Sequence, residues 1–422
     1  MNQVPQTPQT PQAPQTPQAL ECRECHRQYA VEALSICEDC FGPLEPHYEL
    51  SAISGDAFRK EVEAGPDTLW RYQPLLPGLG VDKVDLGAGF TPLRRADNLG
   101  RALGIRNLWI KDDTVNPSNS FKDRVVSVAL TMSQAFGFEA VGCASTGNLA
   151  NATGAHAAKA DIPAYIFIPH DLERAKIIAT SAYGANVIKV KGNYDDVNRL
   201  CSEVADALPW AFVNVNMRPF YAEGSKSIGF EVAEQLGWQL PDHVVVPIAS
   251  GALMTKIHRA FRELTEVGAV EDYPFRISGA QAQGCAPVAT AFKENANEVT
   301  PVKPNTIAKS LAIGNPADGW YAIQTARQTG GAIEYCSEQE VLDGIHLLAR
   351  HEGIFTETAG GVTIAVLKRL REQGIIRRDE ETVAIITGNG YKTIEALEES
   401  DLTPTMTVEP DLDDFMAQLE GR

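Results

Sequence analysis

The sequence contains no uninterrupted apolar run of the ~18 or more residues that a membrane-spanning helix requires. It also lacks a basic N-terminal stretch followed by a short apolar one, so no secretory leader is expected. Positive charge is in deficit: 37 Lys and Arg stand against 55 Asp and Glu, for a formal net charge of −18. So acidic a chain repels nucleic acid and anionic membrane surfaces, and neither is expected as a partner. A small anionic substrate stays open, because a local basic pocket outweighs the global field. Residues 1–19 hold almost nothing apolar and repeat Pro, Gln and Thr, so this tail has no surface to bury and is expected to be disordered. The eight cysteines show no disulfide framework: four form two close pairs near the N-terminus, and Cys143, Cys201, Cys285 and Cys336 are scattered singly. Such isolated cysteines read as reduced, buried thiols of a cytoplasmic protein.

What is present is enough for sizeable cores. A chain of 422 residues, 44% of them hydrophobic, suggests two or three domains. From about residue 105, short β-branched runs alternate with helical stretches. Strands are expected at 107–111, 140–144, 164–168, 187–190, 211–215, 244–248, 276–280 and 382–387. Helices are expected at 121–136, with Ser120 as cap, and at 148–160, 172–183, 194–208, 223–236, 253–265, 338–351 and 360–372. That alternation argues for an α/β protein with parallel sheets flanked by helices. In such sheets ligands sit where loops leave the carboxyl ends of strands.

Several of those loops carry chemistry. In Asn116-Pro-Ser-Asn-Ser-Phe-Lys-Asp-Arg124, Lys122 falls at a helix start. The positive end of the helix dipole favours the neutral amine, which attacks an aldehyde. Taken alone, Lys122 reads more readily as an exposed surface lysine, since most lysines are exposed. Ser145-Thr146-Gly147-Asn148 offers hydroxyls, an amide and backbone N–H groups to a carboxylate or a ring oxygen. Ala249-Ser250-Gly251-Ala252-Leu253 opens a helix, so its backbone donors suit a phosphate. Thr387-Gly-Asn-Gly390 ends the last strand and can aim a hydroxyl into the same crevice. Glu357 stands at another helix start, while His156 and His258 read as packing or surface residues and Arg124 as a salt-bridge partner.

Near the N-terminus, Cys22-x-x-Cys25 and Cys37-x-x-Cys40 are separated by eleven residues. Two such pairs supply four thiolates at a spacing suited to tetrahedral Zn2+, and the 20–47 unit is too short for a large core, so metal would hold it together. An empty relic, a pair of disulfides and iron are the alternatives; His26 reads as a bystander.

Read in order, the segments NPSNSFKDR, STGN, ASGAL, TIAKSLAIGNPA (306–317) and TGNGYK resemble the fold-type II pyridoxal-phosphate enzymes and, within that group, the threonine synthases. The resemblance spans residues 20 to about 395. It implies a two-domain fold: a large cofactor-binding domain from 48–122 and 223–422, a small mobile α/β domain at 123–222, and a zinc-ribbon-like knuckle at 20–47. It implies that Lys122 holds pyridoxal 5′-phosphate as a Schiff base and later acts as the mobile base. Asn148 would bond the cofactor's 3′ oxygen, the N–H groups of Ala249, Ser250, Gly251, Ala252 and Leu253 its phosphate, and Thr387 its pyridine nitrogen. Ser145, Thr146 and Gly147 would bind the substrate carboxylate. Where many members have a glycine-rich phosphate loop, this chain has only Gly251, which puts the loop geometry in question more than phosphate binding. The implied reaction turns O-phospho-L-homoserine and water into L-threonine and phosphate in a cytoplasmic homodimer. Such a substrate needs cations for its own phosphate; Arg218 suits bidentate binding, with Asn216 and Lys226 assisting, although the same loop reads as ordinary solvated charge. Rival readings are a threonine dehydratase, a cysteate synthase, or a non-catalytic scaffold with a zinc module.

Overall fold

The strands 243–247, 381–386 and 107–112 carry consecutive apolar residues, Val244–Val246, Val383–Ile386 and Leu108–Ile110. Runs of that kind are stable only where both faces of a sheet are covered. In the computed structural model, which describes residues 17–78, 80–145, 147–170, 174–192, 194–398 and 406–420, they lie side by side at the centre of a six-stranded sheet. Its order is Ile333–Cys336, Arg276–Ala282, His243–Pro247, Glu381–Ile386, Asn107–Asp112, Leu93–Arg95, parallel throughout except for the last, antiparallel edge pair. Helices Ala252–Glu266 and Thr358–Glu372 pack against its strands. A second, all-parallel sheet has the order Asn186–Val190, Ala164–Pro169, Ala140–Ala144, Trp210–Phe212. All four of these strands fall within 123–222, and none of the larger sheet's strands does. The third sheet is antiparallel, pairing Ala19–Cys22 with Gln28–Tyr29 and with Leu44–His47. Among the described residues no helix is long and apolar enough to cross a membrane.

The α/β alternation is as expected, with instructive differences. Of the tail expected over 1–19, residues 1–16 lie outside the described residues, and Ala19 already begins a strand paired to His47. The strand expected at 211–215 stops at Phe212, because the Asn216 side chain takes the Phe212 N–H at 2.8 Å and donates to the Trp210 carbonyl at 3.1 Å, curling the chain into a turn. The helix expected at 223–236 runs over Lys226–Gln235, and a separate short helix, Arg218–Glu223, precedes it. They meet at Gly224, where a Cβ would stand 2.5 Å from the Arg124 carbonyl oxygen; only glycine lets this corner press against the helix carrying Lys122. Ser120 does not cap that helix, Lys122–Ala135: its backbone bridges to Gly388, and its Oγ is buried with no partner among the described residues. The strand Ile333–Cys336 and the helices Pro287–Lys293 and Gly319–Thr329 went unread in the sequence.

Beneath the start of the Lys122 helix lies a fully buried ion cluster. Arg124 meets Asp113 at 2.7 and 2.8 Å and Glu231 at 2.8 Å, and donates to Thr91 and Ser227 at 3.0 and 2.9 Å. Lys111 lies 2.6 Å from the same Glu231, and these four charged side chains are all 0% exposed. Burial alone would raise the Glu231 carboxyl; Arg124 and Lys111 outweigh it and hold it at about 2. Removing one member of such a cluster strands its partners in low dielectric. Arg124→Met is therefore expected to lower unfolding stability by ~3–5 kcal/mol in denaturant melts. Arg124→Lys should recover only part of that loss, since an ammonium cannot reproduce the planar fork.

Candidate active site

The three central strands of the large sheet are neighbours and parallel, so the loops at their carboxyl ends emerge together. Asn107–Asp112 leads through the turn Asp113–Val115 to residues 116–122. Glu381–Ile386 leads to 387–390, and His243–Pro247 leads to 248–253. The first two loops are stitched together. The Phe121 N–H donates to the Thr387 carbonyl at 2.9 Å, and the Asn389 N–H donates to the Asn119 carbonyl at 3.0 Å. Asn119 makes the corner with φ +62°, in the left-handed region that Asn tolerates better than most residues.

Lys122 is the first helical residue and is half-buried. Its Nζ donates to the Tyr221 hydroxyl at 2.7 Å and lies 4.5 Å from the centre of the Phe121 ring. Tyr221 belongs to the short helix Arg218–Glu223, three residues after Arg218, so the two share a face. Arg218 meets Asp318 at 2.9 Å, and the Asp318 N–H donates to the Ser250 carbonyl at 2.8 Å. One short helix thus spans from the lysine to the 249–253 loop. It is anchored by Glu223, a fully buried carboxylate that accepts from Tyr48 at 2.8 Å and pairs with Lys256 at 2.6 Å and Lys226 at 2.7 Å. Lys226 is accordingly committed to Glu223 and Glu263 and is not a ligand for substrate phosphate. Asn216 is likewise spent on its turn, and a substrate role for it is not carried further. Tyr221 was missed in the sequence; its only signal was the three-residue spacing from Arg218 after a strand.

In the 249–253 loop, Gly251 has φ +101°, and a Cβ there would stand 2.5 Å from the Asp318 carbonyl oxygen. A single glycine is therefore enough, because only this position needs the left-handed turn. The helix Ala252–Glu266 starts immediately after it, so first-turn amides without intrahelical partners face out of the loop.

Asn148 opens the helix Asn148–Ala160 from the smaller sheet and donates to Glu357 Oε2 at 2.9 Å. Thr387 Oγ1 lies 3.5 Å from Glu357 Oε1. Two side chains from different sheets thus meet on one carboxyl that is only 2% exposed. Burial pushes the Glu357 carboxyl above the usual carboxylate range, although Asn148, Lys392, Lys122 and Thr387 all favour its charge. Ser145 and Gly147 border the same loop, with the Gly147 N–H 3.4 Å from Ser145 Oγ; Thr146 lies outside the described residues. His156 is a buried packing residue beside Asp123, and His258 tilts against Phe275, as expected.

These residues fit pyridoxal phosphate. An amine stands at a helix start beside a hydroxyl, a positive-φ glycine turn feeds a helix N-terminus, and an amide and a hydroxyl converge from opposite sides. The cysteine unit fits a metal: the four sulfurs lie within 4.8 Å of one another, with Cys22–Cys40 at 3.4 Å and Cys25–Cys37 at 3.6 Å. A tetrahedron of Zn–S bonds has sulfur–sulfur edges of about 3.8 Å. The Tyr29 hydroxyl, 3.1 Å from Cys37 Sγ, and nearby backbone amides pull that thiol down to about 6, while the adjoining Cys25 and Cys40 thiols are pushed up by their sulfur neighbours. His26 is exposed and bonded to Glu21. The other four cysteines are free and buried.

Comparison with known proteins agrees. A family model described as "Pyridoxal-phosphate dependent enzyme" matches residues 84–388. A threonine synthase of Methanocaldococcus jannaschii is 37% identical over 88% of this chain and 92% of its own. Another from Methanosarcina acetivorans is 35% identical over 86% and 88%. Among solved structures, threonine deaminase isoform 2 of Solanum lycopersicum is 22% identical with a TM-score of 0.60, over 83% of this chain and 89% of that one. Maize serine racemase is 18% identical with a TM-score of 0.59, over 78% and 93%. At these identities the two structures speak for the fold.

A carboxyl whose folded pKa is raised costs stability once pH climbs above its unfolded value. Glu357→Gln is therefore expected to melt at the same or a higher temperature than the parent at pH 8. The difference should shrink towards pH 4, as read by thermal unfolding across that range.

Proposed function

The chain belongs to the threonine synthases among the pyridoxal-phosphate dependent enzymes, and on that premise we propose that it converts O-phospho-L-homoserine and water to L-threonine and phosphate through the residues around Lys122. The observation that carries the site assignment is the convergence of Lys122, Thr387, Asn148 and the Gly251 turn, drawn from four separate loops. Pyridoxal phosphate, when bound, supplies the electron sink that lets protons leave Cα and Cβ of the substrate. Lys122 would hold it through Nζ, and the same amine would carry protons at those carbons. Tyr221 orients the amine by its hydroxyl. The amides of 249–253 hold the cofactor phosphate, and Asn148 and Thr387 hold the two edges of its ring. A neutral threonine hydroxyl does not keep the ring nitrogen protonated as a carboxylate would, which favours elimination and replacement over transamination. Ser145, Thr146 and Gly147 hold the substrate carboxylate. Arg218, with a side chain 29% exposed beside the 249–253 loop, offers its guanidinium to the substrate phosphate.

Closing the crevice would move the four-stranded sheet and its helices, within 123–222, against the rest while Arg124 stays in its ion cluster, and would exclude water until the hydration step. The same reading makes the protein a cytoplasmic homodimer. It also makes Cys22, Cys25, Cys37 and Cys40 the ligands of a structural zinc: the metal is expected at about one per chain, and Cys37→Ser should lose it in elemental analysis.

The deciding measurement is product analysis. O-phospho-L-homoserine should yield threonine and phosphate, whereas O-phosphoserine with sulfite should yield no cysteate. Threonine absent from the first reaction would end this reading. Lys122→Ala should lose the borohydride-reducible cofactor link and lower turnover by about 10³-fold or more.

A further inference from the structure

Asp318 receives more contacts than a salt-bridge partner of Arg218 requires. It precedes the helix Gly319–Thr329, its side chain is 8% exposed, and its own N–H and carbonyl frame Ser250 and Gly251. A second cation also reaches it, and that cation comes from the cysteine knuckle. Arg23 NH1 lies 3.7 Å from Asp318 Oδ1, while Arg218 holds Oδ2. The Arg23 guanidinium stacks 3.6 Å over the Tyr321 ring, in the first turn of the helix that Asp318 precedes, and the Tyr321 hydroxyl donates to the neighbouring Glu24. Arg23 and Glu24 are the two residues between Cys22 and Cys25, so a metal gripping those cysteines also fixes both contacts.

The knuckle has docking contacts besides those of Arg23. Glu45 ties it to Lys256 at 3.0 Å and to Arg259 at 2.7 Å on the helix Ala252–Glu266, and although burial would raise the Glu45 carboxyl, Lys256, Arg259 and Arg23 hold it charged. Arg23 NH1 also donates to Glu45 Oε1 at 3.5 Å, so Arg23 joins that anchor to Asp318 and Tyr321 at the edge of the phosphate-binding loop.

We infer that Arg23 is a positioning residue for the phosphate-binding end of the site, acting through Asp318 on both Arg218 and the Ser250–Gly251 turn. Two guanidinium groups share one carboxylate, which leaves Arg218 only partly neutralised and open to a phosphate. Without Arg23, Asp318 turns wholly to Arg218 and competes with the incoming dianion, and the turn beside Gly251 loses its brace. The part that concerns substrate rests on the proposed function; the part that concerns the cofactor phosphate does not need turnover.

The test compares Arg23→Gln, Arg23→Lys and Tyr321→Leu with Arg27→Gln, a knuckle residue that pairs with Asp39 at the surface. In the zinc-loaded protein, Arg23→Gln should raise both KM for O-phospho-L-homoserine and the inhibition constant of inorganic phosphate by about 5- to 10-fold, with kcat changed less than about twofold. The dissociation constant of pyridoxal phosphate, titrated by fluorescence on cofactor-free protein, should rise with them. Tyr321→Leu should shift the same constants, Arg23→Lys should recover most of the loss, and Arg27→Gln should match the parent. The inference is overturned if Arg23→Gln leaves both the phosphate inhibition and the cofactor affinity unchanged, or if Arg27→Gln shifts them equally. A parent enzyme that makes no threonine counts against the proposed function instead, and the cofactor titration still decides the role of Arg23.

Discussion

The buried cluster around Arg124 is the constraint on which the rest of the molecule hangs. Two cations and two carboxylates with no exposure to water are tolerable only when every one finds its partners at once. Meeting that condition brings together residues 89–91, the end of the strand Asn107–Asp112, the start of the Lys122 helix and the face of the helix Lys226–Gln235. Lys122 lies two residues before Arg124. Its position is therefore set by a cluster that never touches a ligand, and the loop before it can be irregular without being loose.

Close backbone approach does the same work on the other loops. Gly224 lets the Arg218–Glu223 corner rest on the Arg124 carbonyl, Gly251 lets the 249–253 turn rest on Asp318, and a Cβ at Gly388 would stand 2.5 Å from Glu357 Oε1. At each point a methyl group would push apart two of the segments that bring Lys122, Thr387, Arg218 and the 249–253 amides together. The single glycine of the 249–253 loop, which departs from the commoner pattern, follows from this geometry: one residue needs the left-handed turn, and its neighbours only present amides.

A net charge of −18 sits easily with a site for phosphates. Many of the acidic groups nearest the crevice are already neutralised, with Asp113 and Glu231 on Arg124, Glu223 on Lys226 and Lys256, and Asp318 shared by Arg218 and Arg23. Glu357 and Asp123 are exceptions, each held towards its neutral form by burial. The field inside the crevice is set by these pairs and by helix starts, so the sum over the chain predicts the behaviour of the surface and not of the site.

The sequence by itself determined the alternation of strands and helices, the strand-to-helix loops that carry the chemistry, the lysine, and the paired cysteines. These are local properties: β-branched runs, helix starts and short spacings are written in consecutive residues. Strand ends were legible to within a few residues except at Phe212, where a side chain from beyond the strand, Asn216, cut it short. What only the tertiary structure decided is which charges meet. Nothing in consecutive residues tells Lys226, sealed between two carboxylates, from Arg218, left partly open, or puts Tyr221 on Lys122 and Glu357 between Asn148 and Thr387. Those pairings depend on strands far apart in the chain lying side by side in one sheet, and on burial making each ionic match compulsory.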